Sequence, residues 1–277
     1  MTVTVYDSRQ CILGEGPLWH PLRKQLFWFD ILGKKLLCDT GEDWTFSGHV
    51  SAAGWVDADR LLVAGETALF TFDLNTQAVT DIVGLEAENP LTRSNDGRAD
   101  PQGGFWIGTM GKEAQSYAGA IYRYYRGELR QLFDRITISN SICFAPNGDR
   151  AYFTDTRGRR IMRVTLDAEG WPVGEPELYL DLRADALNPD GSVVDAQGCL
   201  WNAQWGAHRV ARYDADGAFL EAVEFPAAQI SCPAFGGDGL KTLFATSAAD
   251  GLEGQSEGQT FAISLEVAGQ QEHRVIL

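Results

Sequence analysis

The feature that most restricts the fold of this chain is one short pattern repeated along its whole length. In each copy, a turn rich in Asp, Gly, Pro or Asn precedes an apolar and often aromatic run, as expected of a strand. The six runs are 26–29, 61–64, 105–108, 151–154, 200–203 and 243–246. Their spacing of roughly 35–50 residues is typical of propeller blades. The sequence therefore predicts a repeat architecture built from strands.

Further strands are expected after the aromatic run in most copies. Third strands are predicted at 68–73, 120–124, 160–164 and 209–213, and a fourth at 129–133. Sheets of four strands repeated around an axis form a β-propeller. The predicted fold class is therefore all-β, a six-bladed β-propeller with four-stranded blades, and residues 1–277 are expected to form a single domain.

Ring closure is expected from the two ends of the chain. The alternating segment Thr2–Tyr6 can complete the last blade together with the C-terminal strands. A two-sheet sandwich or a pair of β-domains is the alternative architecture. The sequence contains no Pro/Ser-rich linker and no shift in composition, which favours the propeller.

Charge and cysteine content exclude several classes of partner and site. The formal net charge of −15 argues against nucleic acid and anionic membrane, since both need a basic surface. The five cysteines are scattered and odd in number, so a disulfide framework or a thiolate zinc site is not expected. The first residues lack the charged and apolar regions of a signal peptide, and cytoplasmic localisation is the expectation.

Four polar side chains stand at the same place in the repeat, beside Gly or Ser and at the start of a unit's first strand. They are Glu15, Asn95, Asn140 and Asp190. The first strand of each propeller blade lines the central channel, so these side chains are expected to converge at one mouth of it. Any one of the amides or aspartates could instead be a turn or cap residue. Glu15 fits that explanation poorly, because Glu is a poor turn former and lies between two glycines.

Two carboxylates and two amides in one channel would repel each other unless a cation lies between them. Oxygen ligands suit a hard divalent ion such as Ca²⁺, Mg²⁺ or Mn²⁺, whereas zinc more often takes His or Cys. None of the four histidines stands at an equivalent position. A central metal site is therefore predicted.

Three other polar residues have two interpretations each. Arg93 could hold oxygen atoms of a ligand by forked hydrogen bonds, or it could be a surface ion-pair partner. His208 could reach the site, although a surface loop position is expected. Asp155 is expected to be structural and to bond the backbone of the next blade. No nucleophile elbow, P-loop or HExxH motif occurs in the sequence.

Five stretches, in order along nearly the whole chain, are similar to the gluconolactonase/regucalcin (senescence marker protein) family. They are LGEGPLW at 13–19, RSNDGRADPQGGFWIGTMG at 93–111, ISNSICFAPNGDRAYFTDT at 138–156, PDGSVVDAQGCLWNAQWG at 189–206 and CPAFGGDGLKTLFATSA at 232–248. The resemblance implies a six-bladed propeller with one essential divalent ion in its channel.

The resemblance also assigns roles to individual residues. The ligands that it implies for the ion are Glu15, Asn140 and Asp190. The residues that it implies for substrate binding are Arg93, Asn95 and, on the loop after Gly111, Glu113. One departure from the family pattern is Ser141, where Gly is common after the Asn. A side chain as small as Ser should leave the ligand in place but could alter the pocket wall.

The function predicted from these features is metal-dependent hydrolysis of a sugar lactone to the aldonic acid in carbohydrate catabolism. Asp190 is the expected general base, and the cofactor is one divalent cation, Ca²⁺ first, with Zn²⁺, Mn²⁺ or Mg²⁺ as alternatives. Three other functions stay open: phosphotriester or other ester hydrolysis, calcium binding without catalysis, and an interaction propeller without metal. The expected partner is a small sugar lactone, and the expected assembly is a monomer or a weak homo-oligomer.

Overall fold

The computed structural model describes residues 2–277 and consists of six antiparallel sheets of four strands each. Within five of the sheets the strands are hydrogen-bonded in chain order, so the first strand of each is an edge strand. Neighbouring first strands contact one another around a closed ring. The predicted fold class, a six-bladed β-propeller with four-stranded blades, is confirmed.

The first three blades occupy the N-terminal half of the chain. Blade 1 contains β2 (Gly14–His20), β3 (Gln25–Asp30), β4 (Lys35–Cys38) and β5 (Asp43–Thr45). Blade 2 contains β6 (Val50–Trp55), β7 (Arg60–Gly65), β8 (Ala68–Asp73) and β9 (Val79–Gly84). Blade 3 contains β10 (Thr92–Ala99), β11 (Phe105–Gly111), β12 (Gly119–Tyr125) and β13 (Glu128–Ile136).

The remaining three blades follow, with two single-turn 3-10 helices at Thr156–Gly158 and Asp238–Leu240. Blade 4 contains β14 (Ser139–Phe144), β15 (Arg150–Asp155), β16 (Arg160–Leu166) and β17 (Pro172–Asp181). Blade 5 contains β18 (Asn188–Val194), β19 (Leu200–Trp205), β20 (Arg209–Tyr213) and β21 (Phe219–Glu224). Blade 6 contains β22 (Gln229–Gly236), β23 (Thr242–Ala248), β24 (Thr260–Ser264) and β1 (Thr4–Asp7).

Blade 6 closes the ring with both ends of the chain. Its outer strand β1 pairs antiparallel with β24, and Thr4 lies opposite Ala262. The expectation that the N-terminal segment completes the last blade is confirmed, with the strand at Thr4–Asp7 rather than at Thr2–Tyr6.

The second strand of each blade is apolar at consecutive positions because both of its faces are covered by neighbouring blades. Trp28, Trp106 and Trp201 stand in the second strands of blades 1, 3 and 5, and all three are fully buried. A strand buried on both faces reads as a continuous apolar run, which is the pattern from which the repeat was identified. Packing between blades thus orients the inner strands around the channel.

The first strand of each blade lines the channel and is its inner strand. The regular antiparallel pairing of every inner strand with the second strand is interrupted after at most three residues. The register shifts lie between Glu15 and Leu18, Val50 and Ala52, Ser94 and Gly97, Asn140 and Cys143, Pro189 and Ser192, and Ile230 and Pro233. A β-bulge of this kind re-aims side chains and is common beside functional sites. The four polar residues predicted to meet in the channel all stand at these bulges.

The C-terminal segment 266–277 crosses the opposite end of the channel. Gln270 Nε2 donates to the carbonyls of Phe144 and Val194, which are the last residues of two inner strands. Glu272 forms a buried ion pair with Arg98. Because this segment lies over the ends of the inner strands, a ligand reaches the bulges from the end at which those strands begin.

No helix among the described residues is long and apolar enough to cross a membrane. All five cysteines are unpaired thiols, and four of them are buried.

Asp155 fixes the segment that leads into β14. Its carboxylate accepts hydrogen bonds from the backbone N–H groups of Thr137 (2.9 Å), Ile138 (3.1 Å) and Arg157 (3.2 Å). The residue is therefore structural, but the backbone that it bonds enters its own blade rather than the next one. Asp30 bonds the N–H groups of Ile12 and Leu13 in the same manner. Each carboxylate thus holds the chain just before a bulge.

Replacing Asp155 with Ala should lower the free energy of unfolding by about 2 kcal/mol, since it leaves partly buried backbone donors without an acceptor. Urea denaturation followed by tryptophan fluorescence measures this change. Asp149→Ala is the matched control, because the half-exposed Asp149 carboxylate accepts a side-chain hydrogen bond from Asn147 at 2.8 Å and holds no backbone N–H group of residues 2–277. Equal stability of the two variants would contradict the structural role given to Asp155.

Candidate active site

Five of the residues selected from the sequence line one cavity of about 230 Å³ at the mouth where the inner strands begin. They are Glu15, Arg93, Asn95, Asn140 and Asp190. Each comes from the bulge region of β2, β10, β14 or β18, and each is at most 5% exposed. The structure therefore brings together side chains from four blades, as the repeat predicted.

A chain of hydrogen bonds fixes the orientation of the two amides. Arg93 Nη1 donates to Asn95 Oδ1 at 2.7 Å. Asn95 Nδ2 donates to Ser139 O at 2.9 Å and to Asn140 Oδ1 at 3.2 Å. Asn140 Nδ2 donates to Thr156 Oγ1 at 2.9 Å. With its nitrogen held by Thr156, the Asn140 oxygen keeps a lone pair for a ligand.

Arg93 is a buried cation that is only partly satisfied by the protein. Its Nη1 bonds Asn95 and the Ser94 carbonyl, but its Nε has no hydrogen-bond partner among residues 2–277. Burial lowers the pKa of Arg93 to about 10, while the Glu15 carboxyl acts in the opposite direction. The guanidinium therefore stays charged at neutral pH. A buried donor without a partner is unusual in a native protein and fits a missing ligand oxygen.

The carboxylates of the channel are destabilised by burial and by one another. Burial and, after it, the nearby Asp96 carboxyl together raise the pKa of Glu15 to about 8. The pKa of Asp190 lies well above its usual value, first because of burial and then because of Glu15 and Asp96. Such groups favour the neutral form unless a positive charge lies between them. A cation bound at this point would remove that penalty.

The donor set fits a hard divalent cation. Glu15 and Asp190 offer carboxylate oxygens and Asn140 offers an amide oxygen, and Ca²⁺ accepts both kinds of ligand. Within residues 2–277 no three His, Cys, Asp or Glu side chains come close enough to hold a metal by themselves. A metal here would therefore need the amide, and water or substrate would complete its coordination.

Asp96 is a site residue that the sequence analysis did not single out. Its Oδ2 accepts a hydrogen bond from Ile142 N at 2.7 Å, which ties β10 to the bulge of β14 just after Asn140. Burial raises the pKa of Asp96 to about 6. A usable signal was present, because Asp96 follows Asn95 directly and a bulge can turn two successive side chains to the same side.

Ser141 forms a hydrogen bond to the backbone of Asp190 and does not line the cavity. Its φ angle is +58°, a left-handed conformation that Gly adopts at little cost. Its Oγ donates to the Asp190 carbonyl at 2.6 Å and accepts from Ser192 Oγ at 3.0 Å. The serine hydroxyl therefore links the bulge of Asn140 to that of Asp190.

Two further residues from the sequence analysis lie away from the cluster. Glu113 is exposed on the turn after β11 and does not line the cavity, so its part in substrate binding stays a prediction. His208 is exposed on the loop before β20, as expected of a surface histidine. The cavity wall also contains six residues that the sequence analysis did not single out as site residues, namely Leu13, Met110, Ile138, Thr156, Trp205 and Asp250.

Comparison with known proteins identifies the family of this chain. A family model described as the SMP-30/Gluconolactonase/LRE-like region matches residues 13–249. L-arabinolactonase of Azospirillum brasilense is 39% identical over 257 residues, covering 89% of this chain and 84% of the relative. Pentonolactonase XacC of Haloferax volcanii is 32% identical over 292 residues, covering 99% and 98%.

A solved structure of the same fold also matches this chain. Regucalcin of Agrobacterium tumefaciens, described as a calcium-binding protein, superposes with a TM-score of 0.96 at 39% identity, covering 99% of this chain and 97% of that one. The resemblance identified from the sequence is thereby confirmed. The chain belongs to the SMP-30/gluconolactonase/LRE-like family.

Proposed function

We propose that this chain hydrolyses a sugar lactone to the corresponding aldonic acid, with one divalent cation as cofactor, in the breakdown of carbohydrates. The observation that carries the proposal is a single cavity lined by three oxygen donors for a cation and by Arg93, a buried cation with an unpartnered donor. The relatives named as lactonases support the reaction class.

Glu15, Asn140 and Asp190 would hold the cation, with Ca²⁺ the first choice and Zn²⁺, Mn²⁺ or Mg²⁺ as alternatives. The regucalcin structure described as calcium-binding favours Ca²⁺. When bound, a divalent cation supplies positive charge that polarises a carbonyl and stabilises negative charge on its oxygen.

Arg93 and Asn95 would bind and orient the substrate. The free guanidinium donors of Arg93 are directed to hydroxyl oxygens of the sugar, while its Nη1 keeps the Asn95 amide in place. Holding the ring in one orientation lowers the entropic part of the barrier to water attack. Glu113 would contact only a substrate that extends to the turn after β11.

Asp190 would act as the general base. Its carboxylate takes a proton from the attacking water as the oxygen adds to the lactone carbonyl carbon. The bond between that carbon and the ring oxygen then breaks, and the proton passes from Asp190 to the released alkoxide. The Ser141 hydroxyl and Asn202 Nδ2 both bond the Asp190 carbonyl, at 2.6 and 3.1 Å, and so keep the base in position.

We further propose that the closed ring is a single domain and that the protein acts as a monomer or a weak homo-oligomer. Five unpaired thiols fit a reducing compartment, so we place the enzyme in the cytoplasm.

Replacing Asp190 with Asn should lower kcat for lactone hydrolysis by about 100-fold or more, because the amide cannot accept the proton of the water. A pH-indicator assay of acid release measures this loss. Asp216→Asn is the matched control, since Asp216 lies on an exposed turn between β20 and β21. Full activity of the Asp190→Asn protein would contradict the assignment of the base.

Inactivity of the wild-type protein on every lactone tested, despite bound metal, would reject the hydrolysis of sugar lactones. In that case a parallel assay with a phosphotriester distinguishes another ester hydrolase from a calcium-binding protein without catalysis.

Replacing Arg93 with Lys should lower kcat/KM by about tenfold or more, because a single ammonium cannot reproduce two charge-assisted hydrogen bonds in fixed geometry. Steady-state kinetics on the best lactone measures the effect, and most of it should fall on KM. Arg130→Lys serves as the control, since Arg130 is exposed and pairs with Glu128 on the outer strand. A kcat/KM unchanged from that of the wild type would remove Arg93 from the substrate site.

Calcium at about 100 times its dissociation constant should raise the Tm of the wild-type protein by about 5 °C, since a ligand that binds only the folded state stabilises it. Glu15→Gln should lose most of this shift, because a carboxylate ligand is replaced by a neutral amide. Glu175→Gln, on the exposed part of β17, should keep the shift. Differential scanning fluorimetry measures all three proteins without any substrate. A full calcium shift in Glu15→Gln would count against this ligand set.

A further inference from the structure

A second groove opens at the same mouth of the channel, beside the cavity that Glu15, Arg93 and Asp190 line. That cavity is called the lactone cavity below. Its volume is about 570 Å³, and it shares Ile138, Thr156 and Trp205 with the wall of the cavity. The groove is therefore contiguous with the cavity, and a substrate held by Arg93 could extend into it. Its other lining residues are Arg157, Gly158, Arg159, Arg183 and Asn188.

Two of the three arginines in this groove have no acidic partner. Arg183 is held by a forked ion pair with Asp181. Arg159 Nε donates to the amide oxygen of Asn188 at 3.0 Å, and the Arg157 side chain is exposed. Within residues 2–277 neither Arg157 nor Arg159 forms an ion pair with a carboxylate.

The chain has 38 acidic and 23 basic residues and is therefore strongly acidic overall. Long-range charge in such a protein repels anions, so an anionic substrate needs local cations at the entrance. Arginine is suited to this task because its planar fork matches the oxygens of phosphate, sulfonate and carboxylate groups.

The two arginines are connected to the lactone cavity by short, well-defined contacts. The 3-10 turn at Thr156–Gly158 begins at the residue whose Oγ accepts from Asn140, and that same hydroxyl donates to Pro189 O at 2.7 Å. Arg159 closes the turn with its N–H bonded to the Thr156 carbonyl at 3.1 Å. The arginine pair is thus held by the same turn that orients Asn140.

We propose that the groove of Arg157 and Arg159 binds an anionic group at the far end of a sugar lactone whose ring lies in the cavity. The ligand class is a lactone that carries a terminal phosphate, sulfonate or carboxylate. The inference rests on the proposed lactone hydrolysis and adds to it the charge of the substrate.

The test compares two lactones that differ only in the terminal group, glucono-1,5-lactone and its 6-phosphate, with the 6-carboxylate lactone as a further arm. The wild-type protein should show a kcat/KM about tenfold or more higher for the phosphorylated lactone, as expected for charge-assisted hydrogen bonds. The paired variant Arg157→Gln/Arg159→Gln should lose most of that ratio. Arg150→Gln, on the exposed first residue of β15, should keep it.

Equal or better use of the neutral lactone by the wild type would overturn the proposal, as would a ratio unchanged in the paired variant, and either result leaves the lactonase activity intact. Failure to hydrolyse any of these lactones would instead count against the proposed function. Calorimetric binding of the two products, gluconate and its 6-phosphate, then tests the groove alone. Tighter binding of the phosphate that is lost in the paired variant supports the groove, and equal binding of both products rejects it.

Discussion

Closure of the ring is the constraint on which the site depends, because its side chains come from four separate blades. Glu15, Asn95, Asn140 and Asp190 are far apart in sequence and meet only when six inner strands surround one axis. The pairing of β1 with β24 holds the first and last parts of the chain together. Direct contacts of β2 with β22 and β23 join blade 6 to blade 1, which carries Glu15.

Within the closed ring, burial of like charges sets the chemistry of the channel. Glu15, Asp96 and Asp190 are each at most 5% exposed, and each has a raised pKa. The fold tolerates this concentration of carboxyl groups because Glu15 and Asp190 can be neutral in the absence of a cation and ionised around one. The same feature that destabilises the free site therefore favours a divalent ion in it.

The repeat and much of the site could be predicted from the sequence because both are encoded locally. In the sequence, each blade contains a turn followed by an apolar and often aromatic run. Each ligand candidate stands at the same place relative to that run. Glu15 was informative because no turn explains a Glu between two glycines. The resemblance to known sequences then separated ligand candidates from substrate-binding ones, a distinction that spacing alone did not provide.

Other features depend on contacts between distant segments, which sequence order alone does not show. Asp96 belongs to the site only because the bulge of β10 turns it toward Ile142 on the next blade. The C-terminal segment has little regular structure, yet Gln270 and Glu272 reach the ends of three inner strands. The partner of Asp155 was assigned to the wrong blade, since sequence order does not show which loop folds back over a strand end.

The most direct test of the account is the turnover of chelated protein with Ca²⁺, Zn²⁺, Mn²⁺ and Mg²⁺ restored one at a time, across pentono- and hexonolactones. The account predicts that chelation abolishes acid release and that at least one ion restores it. Undiminished turnover by protein whose metal content has been reduced to a negligible level would contradict the role of the cation. Absence of turnover with any ion, despite measured binding of that ion, would contradict the assignment as a lactonase.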